Sequence, residues 1–168
     1  IRRSSEFILL KEDWLKICDY LYAFYFSIII PLKIKKIPQW RSHDISEIVI
    51  IEIEKEIGSN SLVSSILLYL FIKRLSLANV DIKYAIDWHE NQTIDRSFNL
   101  AMKRFYKNTK VAGYQGYVVP DYYACKDPTV YEFKSGSLPN EIWVVGKAHL
   151  KKKINILKLD SFEDFIGW

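Results

Sequence analysis

Apolar and polar positions change their period along the chain, and those changes mark its elements. From Val80 the period is two: Val80, Ile82, Tyr84 and Ile86 alternate with Asp81, Lys83, Ala85 and Asp87, which predicts a strand. After a short turn, Ile94, Phe98, Ala101, Met102 and Phe105 recur at helical spacing, with Thr93 placed as an N-cap and Asp95 as a first-turn acid. A second strand is predicted over Lys110 to Tyr114. Strand, helix and strand in so short a stretch make a βαβ unit with parallel strands, whose ligands bind beyond the carboxyl ends. Those ends are Asp87 to Gln92 and Tyr114 to Tyr117, so two separate stretches fall on one rim.

Elsewhere the pattern is denser. Lys11 to Ile28 is predicted to be mainly helical, with Pro31 and Pro38 interrupting the pattern that follows. Ser46 to Ile57 is predicted as a helix stopped at Gly58, and Ser61 is placed to cap a helix running to about Leu77. The apolar residues of that last helix cover most of its circumference, which implies packing on more than one side. Pro120, Pro128, Gly136 and Pro139 predict a connection with little regular structure, followed by a short strand at Glu141 to Val145.

Composition narrows the classes. The 168 residues are 49% hydrophobic and 26% charged, which excludes a disordered chain and is enough for a core without disulfides or metals. A net charge of +4, with one local cluster at Lys147, Lys151, Lys152 and Lys153, is too small and too scattered for a nucleic-acid-binding stripe. Cys18 and Cys125 form no metal-ligand spacing; they read as buried apolar fillers in a reduced, cytoplasmic setting. The uncharged run Tyr20 to Leu32 is shorter than the roughly 20 residues of a membrane span and reads as an interfacial or core segment. Ile1-Arg2-Arg3 lacks an initiator Met, and a fragment of a longer protein is expected.

The rim carries the candidate chemistry. Trp88-His89-Glu90-Asn91-Gln92 sets an imidazole, a carboxylate and two amides at a strand-to-helix turn, where free backbone N-H groups can also hold an anion. His89 and Glu90 are general acid/base types; the plainer alternative is that Asn91 caps the helix while His89 and Glu90 face water. Thr93 stands where a zinc-binding HExxH motif needs its second His, and no metal is expected. Gly113-Tyr114-Gln115-Gly116-Tyr117 offers close backbone approach, an amide and two rings able to stack on a sugar or base; a structural turn with core tyrosines explains it equally well. His43 is expected in a solvated loop, and His149 on a solvated lysine-rich face.

Asp87 to Gln92, the helix after it, Gly113 to Tyr117 and Leu138-Pro139 through Gly146 resemble bacterial surface-carbohydrate biosynthesis proteins, glycosyltransferases of the two-Rossmann GT-B type. The resemblance spans roughly Glu52 to Lys147. It implies an α/β, Rossmann-like parallel sheet with flanking helices. Residues 1–139 would be the later part of the acceptor half, and 140–168 the truncated start of the donor half. It further implies glycosyl transfer from a nucleotide sugar to a polysaccharide, lipopolysaccharide or lipid-linked acceptor, with no cofactor and with peripheral contact at the inner face of the membrane. Glu90 or His89 would be the base, with Trp88, Asn91, Gln92, Tyr114, Gln115, Gly116 and Tyr117 binding substrate. Relatives of this type often carry His directly after the Gln of the second strand end; Gly116 stands there in this chain. The fragment alone would be inactive. The alternative is a non-catalytic Rossmann-like module that binds a nucleotide or sugar or organises a complex.

Overall fold

The computed structural model describes residues 9–34, 43–116 and 128–145, so Tyr117, Cys125, His149 and the Lys147–Lys153 cluster lie outside the described residues. The chain is mixed α/β. Its helices α1 (Lys11–Trp14), α2 (Ile17–Leu32), α3 (Ser46–Glu56) and α4 (Asn60–Leu77) come first. Then follow β1 (Tyr84–Trp88), α5 (Thr93–Phe105), β2 (Lys110–Gln115), α6 (Val130–Ser135) and β3 (Glu141–Val144).

The three strands form one parallel sheet in the order β1-β2-β3, with Asp87 opposite Gly113 and Tyr114 opposite Trp143. The βαβ expectation holds, and the helix-and-sheet arrangement is Rossmann-like. β3, which the sequence placed at the start of a second domain, is the third strand of this sheet, paired with β2. The segment expected to lack regular structure contains α6, capped by Thr129 through Glu132 N and closed by Gly136. The regular strand also begins later than the alternation did: residues 80–83 precede β1.

α4 is the central helix. Leu67 and Leu70 join Leu15 and Ala23 in one core cluster, while Ile72 joins Ala101, Met102 and Val111 in another. Its all-round apolar surface is therefore used twice, against the helices before it and against α5 and the sheet. By length and composition α4 could also cross a bilayer, as core helices of this kind often can. Its cap is Ser59, whose hydroxyl accepts from Leu62 N at 3.1 Å; Ser61, the predicted cap, lies inside the helix.

The predicted N-terminal helix is divided at Leu15-Lys16, and α2 then runs through Pro31 to Leu32. Pro31 has no N-H for the carbonyl of Ser27, and the Gly58 N-H supplies that bond from the α3–α4 turn at 3.2 Å. The proline is thus tolerated in the last turn. At 16 residues α2 is shorter than a membrane span.

Among the described residues, the helices packed on the sheet lie on one face, against Ala85, Val111 and their neighbours. The opposite face shows Tyr84, Ile86, Trp88 and Tyr114 exposed. The alternation was legible, but the residues facing the helices are Ala85 and Asp87 rather than the larger apolar set.

Candidate functional site

A cleft of about 330 Å³ opens at the carboxyl end of β1 and is lined by Leu68, Asp87, Trp88, Glu90, Gln92, Ile94 and Asp95. It lies where the end of the strand meets α4 and the first turn of α5, the position expected for a ligand in an open parallel sheet. Three carboxylates, an indole and an amide line a site whose remaining wall is aliphatic.

Three predicted substrate-contacting groups meet there as a chain of hydrogen bonds. Glu90 Oε1 accepts from Trp88 Nε1 at 2.9 Å, and Glu90 Oε2 accepts from Gln92 Nε2 at 2.6 Å. The indole therefore has a fixed orientation, and the carboxylate lies between two donors.

His89 takes a different place. Its backbone N-H extends the strand ladder to Tyr114 O at 2.9 Å, and its side chain is 0% exposed. Room for the ring exists because residue 113 is glycine: a Cβ there would lie 2.8 Å from His89 Cβ and Cγ and 2.9 Å from Pro139 Cγ. The imidazole is thus held behind the cleft and does not line it. The solvated alternative for this residue is overturned.

Asn91 is buried, with a backbone φ of 59° that turns the chain into α5. Its Nδ2 donates to Glu132 Oε1 at 3.2 Å, and Arg96 Nη2 meets the same oxygen at 2.6 Å, so both tie α5 to α6. Gln115 is buried at the end of β2. Tyr114 lies on the sheet face opposite α4 and α5, edge-on to Trp88 with ring centroids 5.7 Å apart. Gly116 leaves space against the same indole. The second strand end therefore supports Trp88, while among the predicted residues Trp88, Glu90 and Gln92 line the cleft. Tyr117 lies outside the described residues. His43 is exposed as expected; Cys18, expected as a buried filler, is exposed beside Arg74.

The backbone N-H groups anticipated as an anion site are occupied from within. Asp95, on the first turn of α5, accepts from Glu90 N at 2.8 Å and from Gln92 N at 3.0 Å through Oδ2. Gln92, rather than Thr93, is the residue preceding the helix.

Sequence reasoning gave Asp87 and Asp95 no chemical role. Burial, reinforced by the charge of Asp95, pushes the Asp87 carboxyl up to about 7. Burial also raises Asp95, against the lowering pull of the N-H groups it accepts. Side-chain ligand atoms of Asp87, His89 and Asp95 all lie within 4.8 Å of one another, a set of two oxygens and one nitrogen able to hold a metal ion. The sequence carried no signal for this: position 87 shares a strand face with Ala85, and only the fold shows that this face meets the helices.

No known protein family, curated protein or solved structure matches this chain.

Proposed function

We propose that this chain supplies the acceptor-binding half of a GT-B-type glycosyltransferase acting on a bacterial surface glycan or a lipid-linked precursor. The observation that carries this reading is the composition of the rim cleft: Trp88 fixed by Glu90, with Gln92 and carboxylates around it. An indole face packs on the C-H surface of a sugar, and carboxylates and amides accept and donate to its hydroxyls. The same composition disfavours a nucleotide diphosphate, because among the described residues no lysine or arginine lines the cleft and Arg96 is paired with Glu132. The donor would therefore be held elsewhere in the parent protein.

In this mechanism Glu90 takes the proton from an acceptor hydroxyl as the oxygen attacks the donor's anomeric carbon and the nucleotide diphosphate leaves. His89 acts through the positions of its neighbours, since its ring does not reach the cleft. Saturation-transfer NMR and a transfer assay on the full-length protein test the reading. Acceptor glycans should contact the chain through Trp88, and Glu90→Gln should abolish product while leaving glycan binding in place. Full transfer by Glu90→Gln would remove Glu90 from the chemistry.

A second reading, a sugar-binding module without turnover, is favoured by the engagement of both Glu90 oxygens with Trp88 and Gln92. It requires glycan binding that depends on Trp88 with no product from the parent protein under any donor.

A further inference from the structure

We propose that Asp87, His89 and Asp95 bind a divalent cation of the Mn²⁺ or Zn²⁺ class, at a site that opens into the rim cleft. The proposal goes beyond the acceptor reading and does not depend on it.

The cluster differs from a chance group of surface acids in three ways. First, it is built from two elements and set inside the protein: His89 and Asp95 are buried at 0% and 5% exposure, and Gly113 leaves the volume that the imidazole fills. Second, among the described residues no lysine or arginine forms an ion pair with Asp87 or Asp95, whereas the other buried acid, Asp19, is paired with Arg74. Buried charges in folded proteins are paired or coordinate metals. Third, Asp87 Oδ2 is inaccessible to solvent and takes no hydrogen bond. A carboxylate oxygen in that state carries a large desolvation cost that a cation would offset.

The donor set selects the metal. Two carboxylates alone would suit Mg²⁺ or Ca²⁺, but an imidazole nitrogen shifts the preference toward Mn²⁺, Fe²⁺ or Zn²⁺. Ligand atoms around such an ion stand roughly 3–3.5 Å apart, given metal–ligand bonds of about 2.1 Å. Atoms within 4.8 Å of one another would close by roughly 1–2 Å to reach that spacing around a bound ion. Asp95 is held by Glu90 N and Gln92 N, the kind of outer support that orients a metal-binding carboxylate. Three protein ligands leave further positions open, and Asp87 and Asp95 both line the cleft. A water or a sugar hydroxyl would occupy them.

The test is titration of the EDTA-treated chain with MnCl₂ and with ZnCl₂ by calorimetry, and Mn²⁺ electron paramagnetic resonance with nitrogen-coupling detection. The expected result is one saturable site, at least about tenfold weaker in Asp87→Asn and in Asp95→Asn and unchanged in the exposed control Glu47→Gln. Coupling of bound Mn²⁺ to an imidazole nitrogen is expected in the wild type and lost in His89→Gln. Should His89→Gln fail to fold, the wild-type nitrogen signal decides the matter alone. The proposal is overturned if neither metal saturates a site, if Asp87→Asn and Asp95→Asn bind as wild type, or if no nitrogen couples to the bound ion. Since none of these readouts involves glycan or product, metal binding without transfer would leave this inference standing and remove only the acceptor reading.

Discussion

Asp19 and Asp87 are both acids drawn out of water, and their surroundings treat them in opposite ways. Asp19, at the start of α2, accepts from Arg74 Nη2 at 2.9 Å and Nε at 3.1 Å and from Lys16 N at 2.8 Å. The hydrogen bonds from Arg74 hold its carboxyl below the ordinary range against the opposing effect of burial. Asp87 lies beside another acid, and burial drives its carboxyl up to about 7. The first site joins α2 to α4 and ends in a satisfied pair. The second leaves a carboxyl with a raised pKa beside a cleft, and that pattern is common where proteins bind or react rather than where they are merely held together.

Four substitutions break or sharpen this contrast. The largest effect is expected from Gly113→Ala, whose new methyl group would meet His89 and Pro139 at 2.8–2.9 Å. It should destabilise the chain by about 3 kcal/mol in urea unfolding, at the upper end of overpacking costs. A loss below about 0.5 kcal/mol would show that the ring has room to move.

Arg74→Ala should come next, at about 2 kcal/mol by the same measurement. Breaking a wholly buried pair costs roughly 3–5 kcal/mol, and here the arginine keeps solvent contact. The loss should be pH-dependent. A depressed carboxyl contributes stability above its unfolded value of 3.8 and loses it as the pH falls through the lower folded value. Wild type and Arg74→Ala should therefore converge in acid.

Asp87→Asn should act in the opposite direction. A raised carboxyl contributes stability below 3.8, and that contribution is lost as the pH rises through about 7. In EDTA-treated protein the variant should gain on wild type between these limits and melt about 3 °C higher at pH 8. Equal melting curves at pH 5 and pH 8 would mean that water already solvates the carboxylate.

Ser59→Ala calibrates the series, removing one ordinary cap from α4 for no more than about 1 kcal/mol. A larger effect would show that the Ser59 hydroxyl's second bond, to Glu56 at 2.7 Å, also matters.

The elements that set the rim were legible because their periods are clean. The β1–α5–β2 unit follows from alternation, then helical spacing, then a second short apolar strand, and it placed Trp88, Glu90 and Gln92 at the cleft. What a period cannot state is which side of a strand meets the helices. Tyr84 and Ile86 are the more apolar pair, yet packing against α4 and α5 is made by the side that carries Ala85 and Asp87. Asp87 therefore looked like the polar half of a half-buried strand. Asp95 was legible only as a first-turn acid, because a helix start satisfies a carboxylate whether or not anything else does. Ser59 and Ser61 are equally good caps by type, and the choice between them is made by where α3 ends. Pro31 was read as a break because its missing N-H is local, whereas the bond that replaces it comes from Gly58, far along the chain.

The contact of Gly113 with His89 and Pro139 also bears on how this sequence can drift. The three positions form one unit of inheritance: a side chain at 113 becomes admissible only after both 89 and 139 have yielded space. In a library randomised at 89, 113 and 139, ring-bearing residues at 89 should survive only beside glycine, and alanine at 89 alone should not release position 113, because its own Cβ and the proline ring still stand in the way. A lineage that kept the imidazole would have to keep the glycine with it, and one that lost the imidazole would keep the glycine until the backbone or position 139 had also shifted.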